Sequence, residues 1–108
     1  MAIEKGNLFA SIPEELSEEH FNELVWSKNV RIERIVSKGH SSPASGWYDQ
    51  VENEWVAVLK GEAKIAFEND EVVHLIAGDH LTIPAHKRHK VTWTSSYTET
   101  VWLAVHYK

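Results

Sequence analysis

Hydrophobic side chains recur at every second position along most of the chain, a spacing that is typical of β-strands. Near the start, Val30 and Ile32 alternate with Arg31 and Glu33. Such alternation gives each strand one apolar face and one polar face. The pattern predicts strands at residues 21–27, 30–37, 46–50, 55–60, 62–68, 71–76, 80–83, 89–94 and 98–107.

The segments between these strands carry turn-forming residues. Residues 38–46 are rich in glycine, serine and proline and are expected to form a loop. Asn69 and Asp70 predict a tight hairpin turn, because both residues tolerate the left-handed backbone that such turns require. Many short strands with turn residues between them favour a closed barrel or a sandwich.

One helical element is predicted, before the first strand. Ser11 and Glu14 have the spacing of a capping box, and Pro13 lies near the first turn, where helices tolerate it. We therefore expect a short N-terminal helical turn and a single domain over residues 1–108. Residues 1–29 would form an N-terminal arm and first strand, and residues 30–107 the barrel.

The composition limits the chemistry that is available to this domain. The chain has 108 residues, of which 43% are hydrophobic and 25% are charged, as in an ordinary globular domain. It contains no cysteine. This excludes a disulfide framework, a thiolate zinc site, an iron–sulfur cluster and a cysteine nucleophile. Any metal must therefore be bound by histidine, carboxylate or amide groups.

The charge argues against nucleic acid and membrane partners. The formal net charge is −5, and the one basic cluster consists of Lys87, Arg88 and Lys90. Duplex nucleic acid and anionic membranes both require a larger basic surface. No apolar window has the length of a membrane span, and the first residues do not resemble a signal peptide. A cytoplasmic location is therefore expected.

Two segments resemble the conserved motifs of the cupin family. Residues 54–61, EWVAVLKG, are similar to the E-x6-G end of the first cupin motif. Residues 78–89, GDHLTIPAHKRH, are similar to G-x5-P-x-G-x2-H of the second motif, with His86 in place of its second glycine. The chain thus resembles a small single-domain cupin of the type 2 conserved-barrel kind. The resemblance implies an all-β, double-stranded β-helix (jelly-roll) barrel in which Glu54 and His89 converge at the mouth on a divalent metal.

The chain departs from the family where the first motif normally carries two histidines. Residues Trp47, Tyr48, Asp49 and Gln50 occupy that stretch. Strand alternation allows either Tyr48 and Gln50, or Trp47 and Asp49, to point inward. We favour the first pair, because a phenol and an amide can coordinate or hydrogen-bond inside a pocket.

These comparisons define a set of candidate site residues. The candidate ligands for Zn, Fe, Mn or Ni are Gln50, Glu54 and His89, and His86 or His40 could complete the set. Tyr48 and His86 are candidate proton donors or acceptors. The remaining candidate pocket residues are Trp93, which alternation places on the same face as His89, His40, and Arg88, which could orient an anionic group. The other histidines, His20, His74, His80 and His106, are interpreted as surface or strand-face residues.

Two functions from different classes remain open. The first is a metal-dependent enzyme acting on a small polar organic molecule, since the family that the chain resembles includes dioxygenases, sugar-phosphate isomerases and decarboxylases. The second is a non-catalytic barrel that binds a small molecule. A homodimer is also expected, because Trp55 and Trp102 suggest an apolar outer face. Alternatively, residues 7–27 cover that face within one chain.

Overall fold

The computed structural model describes residues 2–43 and 45–108, and in this part of the chain every regular element is a β-strand. The strands are β1 (His20–Trp26), β2 (Val30–Ser37), β3 (Asn53–Lys60), β4 (Glu62–Phe67), β5 (Val72–Ile76), β6 (His80–Ile83), β7 (His89–Thr94) and β8 (Thr100–Tyr107). The all-β prediction is confirmed. Among the described residues, no helix has the length and hydropathy of a membrane span.

The strands form two antiparallel sheets that pack face to face. One sheet has the order β1-β2-β8-β3-β6 and the other has the order β5-β4-β7. Alternating residues of both sheets meet in one core, which includes Val56, Val58 and Ala104 from the larger sheet and Ile65 and Leu75 from the smaller one. This is the arrangement of a jelly-roll barrel.

The predicted strand at residues 46–50 is wrong, because only one residue of this segment pairs as a strand would. Tyr48 forms an isolated bridge with His89, in which each backbone N–H donates to the carbonyl of the other residue at 2.8 and 3.2 Å. Two residues later, Gln50 accepts a hydrogen bond from the backbone of His86, which lies in the turn before β7. Because the partner leaves strand geometry there, the ladder cannot continue. The segment crosses the barrel mouth as a loop.

The predicted helical turn near Ser11 is also absent, and a buried arginine explains why. Ser11 has a φ of 56°, in the left-handed region, whereas an N-cap residue is extended. Arg34 projects outward from β2 and donates hydrogen bonds to the carbonyls of Leu8 and Ala10 at 3.2 and 2.5 Å. It also donates to Asn22 Oδ1 at 3.1 Å. Carbonyl groups used in this way hold the arm on the outer face of the sheet.

The turn predicted at Asn69 and Asp70 is confirmed. Asp70 has a φ of 70°, and its N–H donates to the Phe67 carbonyl at 3.0 Å. Phe67 in turn donates to the carbonyl of Glu71 at 2.8 Å, which closes the hairpin between β4 and β5. The residue types at this turn were therefore sufficient to predict the connection.

Candidate functional site

A row of side chains crosses the larger sheet at one end of the barrel. Arg31 of β2 pairs with His106 of β8, His106 pairs with Glu54 of β3, and Glu54 pairs with Ile83 of β6. Residues at paired positions of adjacent strands project from the same face of a sheet. All four side chains line a cavity of about 260 Å³ inside the barrel.

Both polar and apolar side chains line this cavity. The smaller sheet contributes His89, and the loop across the mouth contributes Tyr48 and Gln50. The remaining lining residues are Glu19, Phe21, Glu33, Ile35, Val56, Ile65, Val91 and Trp102. A mainly apolar wall with a few polar groups is the usual character of a small-molecule site, and the volume is slightly below the usual range of about 300–1,000 Å³.

Glu54 and His89 meet across the cavity from opposite sheets. Glu54 Oε1 lies 3.4 Å from His89 Nε2, and the two residues are only 9% and 6% exposed. The other ring nitrogen of His89, Nδ1, lies 2.9 Å from the carbonyl oxygen of Lys87. Since a carbonyl oxygen only accepts, Nδ1 carries a hydrogen and Nε2 is directed to the carboxylate. The backbone of the turn thus orients the imidazole toward Glu54.

The surroundings of His89 favour its protonated form. Burial lowers the pKa of the imidazole, but hydrogen bonds to Glu54 and to the Lys87 carbonyl, with the charge of Glu54, raise it by more. The pKa of His89 consequently lies above its ordinary value of 6.5. A proton shared between a carboxylate and an imidazole is well placed for acid–base chemistry.

The raised pKa of His89 leads to a prediction for NMR titration. We expect the ring protons of His89 to titrate with a midpoint above 6.5 in the native protein and at a lower pH in E54Q, which removes the carboxylate charge. The stabilisation that this pair gives should be complete below about pH 6.5 and should be lost as pH rises through the folded-state pKa. A native midpoint at or below that of E54Q would contradict this account.

A second pair of a carboxylate and an imidazole faces the same cavity. His106 Nε2 lies 3.1 Å from Glu33 Oε1, and His106 is only 3% exposed. The interpretation of His106 as a surface or strand-face residue is therefore wrong with respect to its burial. Strand alternation could have predicted this burial, because His106 lies on the same face of β8 as the inward residues Trp102 and Ala104. His106 Nδ1 and Gln50 Oε1 are both buried without a hydrogen-bond partner in the structure.

The loop across the mouth separates its inward and outward side chains as strand alternation suggests. Tyr48 and Gln50 line the cavity, and the Tyr48 ring lies 5.8 Å from the His89 ring. Trp47 lies outside under the ammonium group of Lys90, which is 4.4 Å from its ring. Asp49 also points outward, into contacts with the turn before β7. Tyr48 and Gln50 are therefore the pair that faces the cavity.

Two predicted site residues, His86 and Arg88, lie outside the cavity. His86 Nδ1 is 2.8 Å from Asp49 Oδ1, and Arg88 contacts Glu68 at 2.9 Å and Asp49 at 3.3 Å. The hydrogen bond from His86 lowers the pKa of Asp49, and Arg88 adds to this effect. His86 has a φ of 63°, which explains why the motif that it interrupts normally carries glycine here. Its backbone therefore turns the chain, while its side chain faces solvent.

The predictions for Trp93 and His40 also need correction. Trp93 is 40% exposed and packs on Lys64, whose ammonium group lies 5.6 Å from its ring. Its register explains this: Trp93 pairs with Lys64 and Val91 with Ile65, so β7 contains one extra residue between them. Such a β-bulge reverses the alternation that Val91 begins. His40 is not among the residues that line the cavity. Its Nδ1 accepts a hydrogen bond from the backbone N–H of Lys38 at 2.8 Å, within its own loop.

Trp102 faces the barrel interior, so it does not form an apolar outer surface. It is 3% exposed, and its Nε1 donates a hydrogen bond to Ser37 Oγ at 3.2 Å. Ser37 Oγ donates in turn to Glu19 Oε2 at 2.5 Å. These two linked hydrogen bonds position the Glu19 carboxylate at the cavity. Trp55 does face outward and stacks on His80, at 5.6 Å between ring centroids.

The described residues of the cavity show only part of the metal site that the family resemblance implies. Across residues 2–43 and 45–108, no group of three or more histidine, cysteine, aspartate or glutamate side chains is arranged to hold a metal ion. Glu54 and His89 contact one another, and Gln50 would be the third donor. The buried Oε1 of Gln50 has no hydrogen-bond partner, so it could contact either a metal ion or an organic hydrogen-bond donor. The predicted set of Gln50, Glu54 and His89 stays a prediction.

A family model matches most of the barrel. The model described as "Cupin domain" matches residues 33–106, which include both motifs and every strand from β2 to β8 in whole or in part. None of the curated proteins with which the chain was compared matches it.

Solved structures resemble the whole chain. A "putative mannose-6-phosphate isomerase" from Ralstonia eutropha is 45% identical, with a TM-score of 0.94, over 98% of this chain and 99% of that one. A cupin superfamily protein from Desulfitobacterium hafniense is 24% identical, with a TM-score of 0.77, over 99% of this chain and 94% of that one. A protein of unknown function from Streptococcus pyogenes has the same TM-score of 0.77 at 19% identity, over 100% of this chain and 90% of that one. The last two similarities concern the fold alone.

Proposed function

The chain belongs to the cupin family, and from this premise we propose that its barrel cavity binds a small polar organic molecule with which Glu54 and His89 exchange protons. One observation carries this proposal: the two side chains are buried together at the wall of the cavity, with 3.4 Å between Oε1 and Nε2. Two titratable groups held at one point in a low-dielectric site are a frequent signature of acid–base catalysis.

The geometry suits proton abstraction from a carbon next to a carbonyl group. In the state with a negative Glu54 and a positive His89, the carboxylate can accept the proton from that carbon. The C–H electron pair then forms a carbon–carbon double bond, and the carbonyl electrons move to oxygen. His89 can donate its Nε2 proton to that oxygen, and the reverse steps return both protons. No electron acceptor or further reactant is required.

The similarity to an isomerase supports this type of reaction. The 45% identical protein has a sugar-phosphate isomerase name, and the conversion of an aldose to a ketose proceeds by proton transfer between two adjacent carbons. Tyr48 lies beside the His89 ring at the open side of the cavity and can hydrogen-bond to a bound molecule. The metal and the homodimer remain predictions on which no step of this proposal depends.

Deuterium exchange tests the proposal without knowledge of the substrate. The purified protein is incubated in D₂O with a panel of aldoses, ketoses, hydroxy acids and their phosphates, and carbon-bound deuterium is measured by NMR. We expect exchange at a carbon next to a carbonyl in at least one compound. We expect H89N and E54Q each to reduce the rate by about 10²-fold or more, the contribution typical of a positioned acid or base.

A matched histidine separates chemistry from folding. H74N removes another imidazole that contacts a glutamate, Glu62, but at the surface of β5, away from the cavity. The H74N variant should catalyse deuterium exchange at the wild-type rate. Thermal stabilisation by a compound that shows no exchange would instead favour the non-catalytic binding barrel. Exchange that chelation removes and one divalent metal restores would assign Glu54 and His89 to metal binding.

A further inference from the structure

Carboxylates dominate the charge of the cavity. Its lining includes three of them, Glu19, Glu33 and Glu54. Among the lining residues that the structure describes, Arg31 alone carries a guanidinium or ammonium group. The two imidazoles, His89 and His106, each contact one of the carboxylates at 3.4 and 3.1 Å. Each imidazole can offset at most the charge of the carboxylate that it contacts.

The arginines near the mouth are already bound to carboxylates. Arg31 donates to Glu52 Oε1 at 3.0 Å, and this hydrogen bond raises the pKa of the guanidinium. Arg88 contacts Glu68 and Asp49 on the outside of the barrel. Phosphate recognition depends on cationic donors that are available to the phosphate oxygens. In this cavity, a phosphate ester would find one cationic side chain, Arg31, whose charge Glu52 already offsets in part, and it would approach three carboxylates.

The polar groups of the cavity suit a molecule that donates hydrogen bonds. Carboxylate oxygens accept several hydrogen bonds each, so the contact of Glu33 with His106 leaves capacity for a ligand hydroxyl. Gln50 Oε1 is an acceptor that has no partner in the structure. A buried acceptor without a partner has lost its hydrogen bonds to water, and a ligand donor would replace them. Phe21, Ile35 and Val91 supply apolar surface beside these acceptors.

We infer that the ligand of this cavity is an uncharged, hydroxyl-rich carbonyl compound such as a free sugar, that Glu33 and Gln50 accept hydrogen bonds from it, and that its phosphate ester is excluded. This inference names the substrate class of the proposed proton-transfer site and rests on that function. It separates the chain from the activity in the name of its 45% identical relative, since that name specifies a phosphorylated sugar. The carboxylates of the cavity are the cause of the selection.

Binding of mannose and mannose 6-phosphate tests the ligand class directly. Titration calorimetry at about 0.01 M ionic strength, where charges act over about 30 Å, should show binding of mannose and at least tenfold weaker binding of mannose 6-phosphate. Raising the ionic strength to about 0.15 M, where the screening length is about 8 Å, should narrow that difference and leave the affinity for mannose unchanged. E33Q should weaken mannose binding about tenfold, as expected when a charged acceptor is lost.

A second variant should increase the affinity of the cavity for the phosphate ester. Glu52 pairs with Arg31 but does not line the cavity, so E52Q removes the negative charge that offsets the guanidinium and should increase affinity for mannose 6-phosphate at least fivefold. E99Q is the matched control. Glu99 does not line the cavity and pairs with Lys60, with 3.5 Å between Oε2 and Nζ. Loss of the Glu99 carboxylate changes the net charge as much as loss of the Glu52 carboxylate. E99Q should leave both affinities unchanged.

The outcomes separate this inference from the proton-transfer proposal. Binding of mannose 6-phosphate as tight as that of mannose, or binding of neither, would overturn the ligand class. If deuterium exchange still occurs with another compound, the proposed function stands. Binding of mannose without any exchange would overturn proton transfer and leave the ligand class intact. An equal gain in E52Q and E99Q would show that net charge, rather than Arg31, controls phosphate binding, and would also overturn the inference.

Discussion

Replacing Gly61 with alanine is expected to lower the free energy of unfolding by about 3 kcal/mol or more, since backbone strain and steric overlap add together. Gly61 connects β3 to β4 and has a φ of 92°. A Cβ atom here would lie 2.5 Å from Thr100 Oγ1, 2.6 Å from Thr100 Cα and 2.7 Å from the Glu99 carbonyl oxygen. Two of these atoms belong to the backbone, so the start of β8 would have to move.

Gly78 provides the matched control for this prediction. Its φ of 95° is nearly the same, but no atom lies within 4 Å of its hypothetical Cβ. G78A should therefore show only the cost of a left-handed backbone, about 1–2 kcal/mol. Urea unfolding of both variants, followed by tryptophan fluorescence, measures the difference. Equal losses in G61A and G78A would show that the contact with Thr100 does not matter.

Replacing Trp102 with alanine is expected to cost about 3–5 kcal/mol, the range for a large aromatic side chain in a core. Trp102 is packed between the sheets and also holds Ser37, which in turn positions Glu19 at the cavity. W102F should cost less, because it keeps most of the apolar contacts and loses one hydrogen bond worth about 0.5–1.5 kcal/mol.

Trp93 tests whether burial, rather than residue type, causes the loss. It also lies in a strand but is 40% exposed, against 3% for Trp102. W93A should change the free energy of unfolding by less than about 1 kcal/mol, as is usual for surface substitutions. Urea unfolding of W102A, W102F and W93A gives the comparison. A loss in W93A as large as that in W102A would mean that Trp93 is buried in the native protein.

Local patterns in the sequence were sufficient for most of the fold. The alternation of residues in segments such as residues 30–37 reflects the two faces of one strand, which depend only on backbone geometry. Asp70 and Gly61 mark turns because their backbone angles are rare for other residues. The resemblance of two motifs to the cupin family also indicated Glu54 and His89, which lie together in the structure. Each of these inferences needs only a short stretch of chain.

The placement of several side chains depends on contacts between distant parts of the chain. Trp93 is turned outward by a bulge that arises from the register of β7 against β4. The arm around Ser11 forms no helix, because Arg34 of β2 takes its carbonyl groups. His106 is buried because it pairs with Arg31 and Glu54 on two neighbouring strands. Register and pairing of this kind join residues that lie far apart in sequence.

The sequence by itself determined the all-β class and the sharp turns, because those features follow from backbone preferences. The carboxylate–imidazole pair was indicated by the resemblance of two motifs to the cupin family. Only the tertiary structure decided which other side chains surround that pair. The side chains of His86 and Arg88 both contact Asp49 on the solvent side of the barrel. Glu33 and His106, by contrast, lie in the cavity. The physical reason is that a cavity forms where two sheets meet, and its lining depends on how the strands pair with one another.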